Sequence, residues 1–329
     1  MNRPRRTLLG WIATLPSSFA LAAEAPRRVG LIWNSPPDSE VRSASDTSRH
    51  PGRRQIEERL RELGWASGRN LEIVSRSAEG RYERLPALVD EMVARRAEVI
   101  VVFSTEALRI AKDRAPDIPL VLSQGFNLPS GRSAEANVTG MAIPNPVSKR
   151  LELLKSLAPA TRRVAMVARV APGEAPPVIS DALRRAIRAL GLEAFPLYFA
   201  EPEELDALFA EAARRGANAV YMSSFPRLTW DGDVQRRVIA LAALRRLPAV
   251  YELHELARDG ALLGFGLDYR EVHRKTADYV DRLLRGRRPT QLPREEPMRY
   301  ILHVNARTAR ELGLSLPDAL RIQADHVFD

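Results

Sequence analysis

The 329-residue chain predicts an α/β protein built as two doubly wound, Rossmann-like parallel-sheet lobes. Three observations carry this. The strand-like segments are continuous apolar runs, such as "VIVVF" at 99–103, which implies burial on both faces and hence a parallel sheet. Segments with helical periodicity separate these runs. The alternation then occurs a second time with matching local sequence: "RELGW" (61–65) answers "RALGL" (188–192), "ARRAEVIVVFST" (94–105) answers "ARRGANAVYMSS" (213–224), and "DIPLVLSQ" (117–124) answers "RLPAVYEL" (246–253).

In the first half a strand at 28–33 ("RVGLIW") is followed by a helix at 53–64, whose Ile56, Leu60 and Leu63 recur at helical spacing. A strand at 71–76 ("LEIVSR") comes next, then a helix at 82–96 with Leu85, Leu88, Val89 and Met92 on one face. The strand from Val99 runs into Ser104 and Thr105, which open a helix reaching about Arg114, and "IPLVLSQ" (118–124) is the fourth strand. The second half reads as strand 163–169, helix 179–191, strand 193–199, helix 203–215, strand 217–224, helix 234–246 and strand 248–254. The pairs Arg95-Arg96, Arg214-Arg215 and Arg245-Arg246 each close a helix, where cations meet the negative helix end.

Composition narrows the functional classes. The formal charge is +9, but only 4 of the 50 basic residues are lysine and the arginines sit at helix ends, so a nucleic-acid surface is not expected. Arg3, Arg5 and Arg6 ahead of an apolar run ending "ALA" at 20–22 form a secretory signal peptide over 1–22. "RRTLL" resembles a twin-arginine signal, with Sec export the alternative. The absence of cysteine excludes disulfides, thiolate chemistry and a lipidated anchor. The mature chain is therefore expected to be an exported, soluble periplasmic protein.

Catalytic motifs fail one by one. "HELAR" at 254–258 places Arg258 where a zinc-protease helix needs its second histidine, and "GFGLDY" at 264–269 lacks the third glycine of a dinucleotide loop. "DGD" at 231–233 has no further carboxylates at calcium-loop spacing. The five histidines are scattered, with His273 and His326 expected on helix surfaces or chain ends. No enzyme, cofactor or metal is expected.

In a parallel sheet the functional loops leave the carboxyl ends of the strands. The candidate ligand-binding residues are therefore Trp33, Asn34, Ser35, Ser104, Thr105, Ser123 and Gln124 in the first half, with Arg169, Ser223, Ser224, Tyr251 and Glu252 in the second. Ser104 and Thr105 can cap their helix or hold a ligand carboxylate at its positive end. Glu252 could pair with an ammonium group and Arg169 with a carboxylate, while Trp33, Phe126, Phe225 or Tyr251 could stack on a flat side chain. Asn137 and Thr139 are assigned to the connecting strand.

Several longer segments point to a family: "LRELGWASGRNLEIVSRSAEGRYERLPALVDEMV" (60–93), "ANVTGM" (136–141), "KRLELLKSLAP" (149–159) and the tail from Tyr279 to Asp329. In order and spacing they resemble the ABC transporter substrate-binding protein family, whose characterised members include tryptophan-binding proteins. That resemblance implies the type I periplasmic-binding-protein fold, with three crossings near 139–145, 264–268 and 293–299. It places the N-terminal lobe at 27–142 plus 267–294 and the C-terminal lobe at 143–264 plus 298–329. It further implies a monomer that traps a small ligand by hinge closure, with an aromatic or branched amino acid the leading expectation, and delivers it to an inner-membrane permease. A ligand-sensing module for a membrane receptor is the alternative. An exported enzyme using Glu252 and Asp268 is a third reading and the least favoured. The segments at 34–52 and 168–177 depart from the family pattern and border the expected cleft.

Overall fold

The computed structural model describes residues 25–34, 51–79, 81–125, 128, 130–131, 135–170, 176, 179–223, 232–297 and 299–329. Residues 1–22, expected to be a signal peptide, and Ser35, Phe126, Ser224 and Phe225 lie outside them.

Strands β1 (Arg27–Trp33), β2 (Leu71–Ser77), β3 (Val99–Val102), β4 (Leu120–Leu122) and β5 (Val138–Gly140) form a five-stranded, all-parallel sheet in the order β2-β1-β3-β4-β5. Helices α1 (Pro51–Glu62), α2 (Leu85–Ala94) and α3 (Thr105–Arg114) connect them. The period of two decides which side each residue faces. Val99 and Val101 join the cluster containing Ile56 and Leu60 of α1, whereas Ile100 and Val102 join the one containing Leu88 and Val89 of α2. Burial on both faces is what the continuous apolar runs encode.

Helix α4 (Val147–Leu157) leads into the second sheet, where β6 (Arg163–Arg169), α5 (Asp181–Ala189), β7 (Glu193–Phe199), α6 (Leu205–Arg214), β8 (Ala219–Met222), α7 (Gly232–Leu244), β9 (Ala249–Tyr251) and β10 (Leu263–Leu267) repeat the plan. Their order, β7-β6-β8-β9-β10, reproduces that of the first sheet. Pro196 lies within β7, at the sheet edge, where a missing N–H is tolerated. Helix α8 (Tyr269–Leu284) returns to pack on α1, β3, β4 and β5. The chain then comes back to the second sheet as β11 (Tyr300–Asn305), antiparallel to β10, followed by α9 (Ala306–Glu311), α10 (Asp318–Gln323) and β12 (His326–Phe328), which is parallel to β11.

The helix-closing arginine pairs do more than complement the helix end. Arg96 and Arg246 take left-handed φ values of 56° and 52°, as Gly216 does at 72°, and the next residue's N–H bonds back to a carbonyl five residues earlier. The structural repeat therefore matches Arg96 with Gly216, one residue beyond the identity match.

Three segments pass between the sheets and are tied together. Glu295 N–H donates to Gly140 O at 3.2 Å, and Ala142 N–H donates to Glu295 O at 2.8 Å. Asp268 N–H donates to Arg299 O at 3.2 Å, and Tyr300 Oη donates to Pro144 O at 2.8 Å. Gly140 opens the first segment with φ +132°, and a Cβ there would lie 2.1 Å from Leu122 O, so glycine alone fits. Asn137 donates to Ala115 O and Ile118 O, and Thr139 to Leu292 O at 2.7 Å, so both serve the backbone around β5.

His273 corrects the surface expectation. It lies on α8 but is only 6% exposed, with Nδ1 2.7 Å from Gln55 Oε1 and its ring edge-on to Trp33 and Phe103. His326 is exposed in β12.

Candidate functional site

The carboxyl edge of the first sheet is built on an aromatic base. Trp33 ends β1, is 2% exposed, donates from Nε1 to Ser75 Oγ at 2.9 Å and stacks on Phe103 with ring centroids 3.5 Å apart. Asn34 follows, half-buried, with an Oδ1 that is buried and accepts no hydrogen bond. At the end of β3, Ser104 has extended backbone (φ −156°, ψ 160°) and its Oγ accepts from Ala107 N–H at 3.1 Å. It is therefore the N-cap of α3. The cap uses an acceptor lone pair of the hydroxyl, so its proton remains free to donate. Thr105 is exposed at the first helical position. Ser123, after β4, is fully buried with Oγ 2.8 Å from Thr276 Oγ1 and so anchors α8, while Gln124 beside it is half-buried. Trp33, Asn34, Ser104, Thr105, Ser123 and Gln124 are thus brought to the ends of three neighbouring strands, β1, β3 and β4.

The second sheet places Arg169, Ser223 and Glu252 at the ends of β6, β8 and β9, again neighbours. Arg169 Nε donates to Ala200 O at 2.7 Å, and its Nη2 lies 3.5 Å from Glu201 Oε2. Ser223 N–H donates to Val167 O at 2.8 Å, which continues the β6–β8 ladder. Tyr251 is 1% exposed and packs in the core with Val238 and Ala242 of α7. Burial pushes its phenol well above the ordinary value.

Glu252 belongs to a buried polar cluster. Its Oε1 accepts from Tyr221 Oη at 2.5 Å and from Arg150 Nη1 at 3.4 Å. Arg150 also donates to Tyr221 Oη at 3.2 Å, to Asn145 Oδ1 at 2.6 Å and, from Nε, to Phe265 O at 2.6 Å. The Arg150 and Glu252 side chains are only 5% and 8% exposed. Burial works against the guanidinium charge, but the Tyr221 and Glu252 oxygens more than offset it, so Arg150 stays charged. Burial first, and the adjacent Glu252 carboxylate second, hold the Tyr221 phenol far above its usual range and therefore neutral. Tyr269, the first residue of α8, packs against the cores of both lobes.

Sequence reasoning did not single out Arg150, Tyr221 or Tyr269. Only Arg150 carried a signal: it lies on the same helical face as Val147, Leu151 and Leu154, a charge in an apolar stripe. Asp268, the other carboxylate of the enzyme reading, caps α8 by accepting from Arg270 N–H and Glu271 N–H at 3.0 and 3.2 Å. Among the described residues no group of three or more histidine or acidic side chains is placed to hold a metal ion. No described helix is long and apolar enough to cross a membrane.

Comparison with known proteins fits this architecture. The family model described as "ABC transporter substrate binding protein" matches residues 43–328. A search of curated proteins gives no match. Among solved structures, a conserved domain protein from Vibrio cholerae superposes with a TM-score of 0.76 at 20% identity, covering 92% of this chain and 100% of its own. An ABC domain from Streptococcus pneumoniae in complex with L-Trp has a TM-score of 0.74 at 16% identity, with the same coverage. A ligand-free, open substrate-binding protein with adhesive properties from Clostridium difficile has a TM-score of 0.64 at 18% identity, covering 92% of this chain and 99% of its own.

Proposed function

Because the chain belongs to the ABC transporter substrate binding protein family, we propose that it captures an amino acid with an aromatic or branched side chain between the strand-end rims of its two lobes. From the periplasm it then passes that ligand to an inner-membrane permease. The observation that carries this reading is the duplicated strand order, β2-β1-β3-β4-β5 and β7-β6-β8-β9-β10, with polar side chains gathered at the carboxyl ends of adjacent strands in both sheets. The Arg150–Tyr221–Glu252 cluster at those ends, whose members hydrogen-bond one another, helps to hold its lobe in shape. Solute binding is the role of the family, and neither fold nor family is that of an enzyme.

Support for the amino-acid class comes from the rim chemistry. The N-terminus of α3, with the Ser104 hydroxyl and the exposed Thr105 hydroxyl, offers donors at a positive helix end suited to a carboxylate. The Trp33–Phe103 stack makes a rigid apolar base beneath it. The Streptococcus pneumoniae structure of the same fold holds L-Trp.

A thermal-shift panel of amino acids, small amines, sugars and nucleobases tests the class. A ligand at one hundred times its Kd adds about 2.7 kcal/mol to the folded state, a rise in Tm on the order of 5 °C for a chain this long. An aromatic or branched amino acid is expected to give that shift. A response confined to sugars or nucleobases refutes the amino-acid class. Ser104→Ala combined with Thr105→Ala is expected to cost about 1 kcal/mol of stability through the lost cap. It should also weaken titrated binding several-fold, and a folded double variant with unchanged affinity takes both residues out of the site.

A further inference from the structure

Two acceptor oxygens at the ends of neighbouring strands have no hydrogen-bond partner. One is Asn34 Oδ1, immediately after β1, and the other is Glu79 Oε1, two residues beyond β2; both atoms are buried. The register pairs Trp33 with Ser77, and Ala78 N–H donates to Trp33 O at 2.8 Å. The two residues therefore leave the sheet next to each other, at the carboxyl edge that also carries Ser104 and Thr105.

Glu79 is held in place at some cost. Its backbone is left-handed (φ 56°) although it is not glycine, a conformation that L side chains adopt only under strain. Its N–H donates to Ser77 Oγ at 3.0 Å. Its Oε2 lies 2.6 Å from Arg84 Nη1 and 3.0 Å from Arg81 Nη2, and the side chain is only 14% exposed. The fixing acts through Oε2 and the backbone, and Oε1, although buried, accepts from no group of the protein. A buried acceptor without a donor is costly, and two at adjacent strand ends call for the same remedy: a group rich in N–H donors and lacking acceptors. An ammonium group meets that description, and a carboxylate does not.

We propose that Asn34 and Glu79 form the ammonium-binding corner of the solute site. The assignment rests on the reading that a small solute enters between the rims, and it deepens that reading by dividing the ligand: the ammonium goes to the ends of β1 and β2, and the carboxylate to the start of α3. It also accounts for the amino-acid class without Glu252, whose carboxylate is already held by Tyr221 and Arg150.

Calorimetric titration with matched probes tests it. L-tryptophan, tryptamine and indole-3-propionate form one series, and L-leucine, isoamylamine and 4-methylpentanoate the other. The wild-type chain is expected to bind amine-bearing members at least tenfold more tightly than their des-amino counterparts. Glu79→Gln should weaken binding of the amine-bearing members by about tenfold or more, the size of a hydrogen bond to a charged group. It should leave the des-amino acids unchanged. Asn34→Leu, on the other strand, should act in the same direction, and it decides the matter if Glu79→Gln fails to fold. Amines binding where amino acids do not would uphold the corner and remove the amino-acid reading. Amino acids binding with unchanged affinity in the folded variants would do the reverse. Des-amino acids binding as tightly as their amine partners, or no member binding at all, overturns the corner.

Discussion

Replacing Arg150 with methionine is expected to lower the unfolding free energy by about 3–5 kcal/mol, the usual cost of leaving one partner of a buried ion pair alone. Methionine occupies similar volume, so the loss is electrostatic and not a cavity effect. The substitution takes away the donor to Glu252, Tyr221, Asn145 Oδ1 and Phe265 O together. Glu252, a buried carboxylate, then loses the guanidinium that faces it and keeps the hydrogen bond from Tyr221 Oη at 2.5 Å. Because Asn145 precedes α4 and Phe265 lies in β10, next to two of the segments that pass between the sheets, the loss should also loosen the seam between the lobes. Glu252→Gln should cost less, since Arg150 keeps Asn145, Phe265 and Tyr221 as acceptors. Differential scanning calorimetry should place the Arg150→Met midpoint on the order of 5–10 °C below wild type. A shift within 1 °C would show that the cluster contributes nothing net. A double-mutant cycle with Glu252→Gln then isolates the pair.

Stability should fall by about 3 kcal/mol as pH drops from neutral to 4, with His254 the principal cause. Its side chain is 9% exposed, and burial depresses its pKa from 6.5 to about 4, against the opposing pull of Asp268 and Asp325. The unfolded chain therefore takes up a proton near pH 6.5 that the folded chain refuses until near pH 4. The unfolded state binds more protons across that window, so the stabilisation is complete above pH 6.5 and is lost on descending through it. His303 adds to the effect: burial and the neighbouring His254 lower it as well, with ring centroids 4.7 Å apart. The groups around the pair are Glu255, 3.3 Å from His254 Nε2, with Asp268, Arg299, Asp325 and His326. Urea midpoints for wild type and His254→Leu between pH 7.5 and 4.5 provide the check. The wild-type midpoint should fall relative to that of His254→Leu as pH drops, and a separation independent of pH would show that His254 does not carry the proton linkage.

The layered fold was legible because it rests on local periodicity. "VIVVF" is short, rich in β-branched residues and apolar throughout, the pattern of a strand buried on both faces, and Leu85, Leu88, Val89 and Met92 can share a face only in a helix. The duplicate halves were visible for the same reason, down to the arginine pairs that end the helices. The left-handed turn at Arg96, which shifts the structural repeat by one residue, left no such trace. The antiparallel entry of β11 beside β10 was equally silent, since an apolar strand reads the same in either direction.

The rims were legible as places. Ser104 and Thr105 follow β3, and Glu252 follows β9, as the alternation required. What those side chains touch was not. Ser104 caps α3, Ser123 anchors Thr276, and Glu252 meets Arg150 from 102 positions earlier in the chain. His273, polar and on a helix, turned out to be packed against Trp33 and Phe103.

The order of residues along the chain dictated the secondary structure, the parallel sheets and the strand ends where we propose that a ligand binds, because each follows from patterns a few residues long. Which polar groups find partners there, and which, like Asn34 Oδ1 and Glu79 Oε1, are left without one, was settled by folding alone. Hydrogen bonding and burial are properties of neighbours in space, and some of those neighbours, such as Arg150 and Glu252 at 102 positions apart, are distant in the chain.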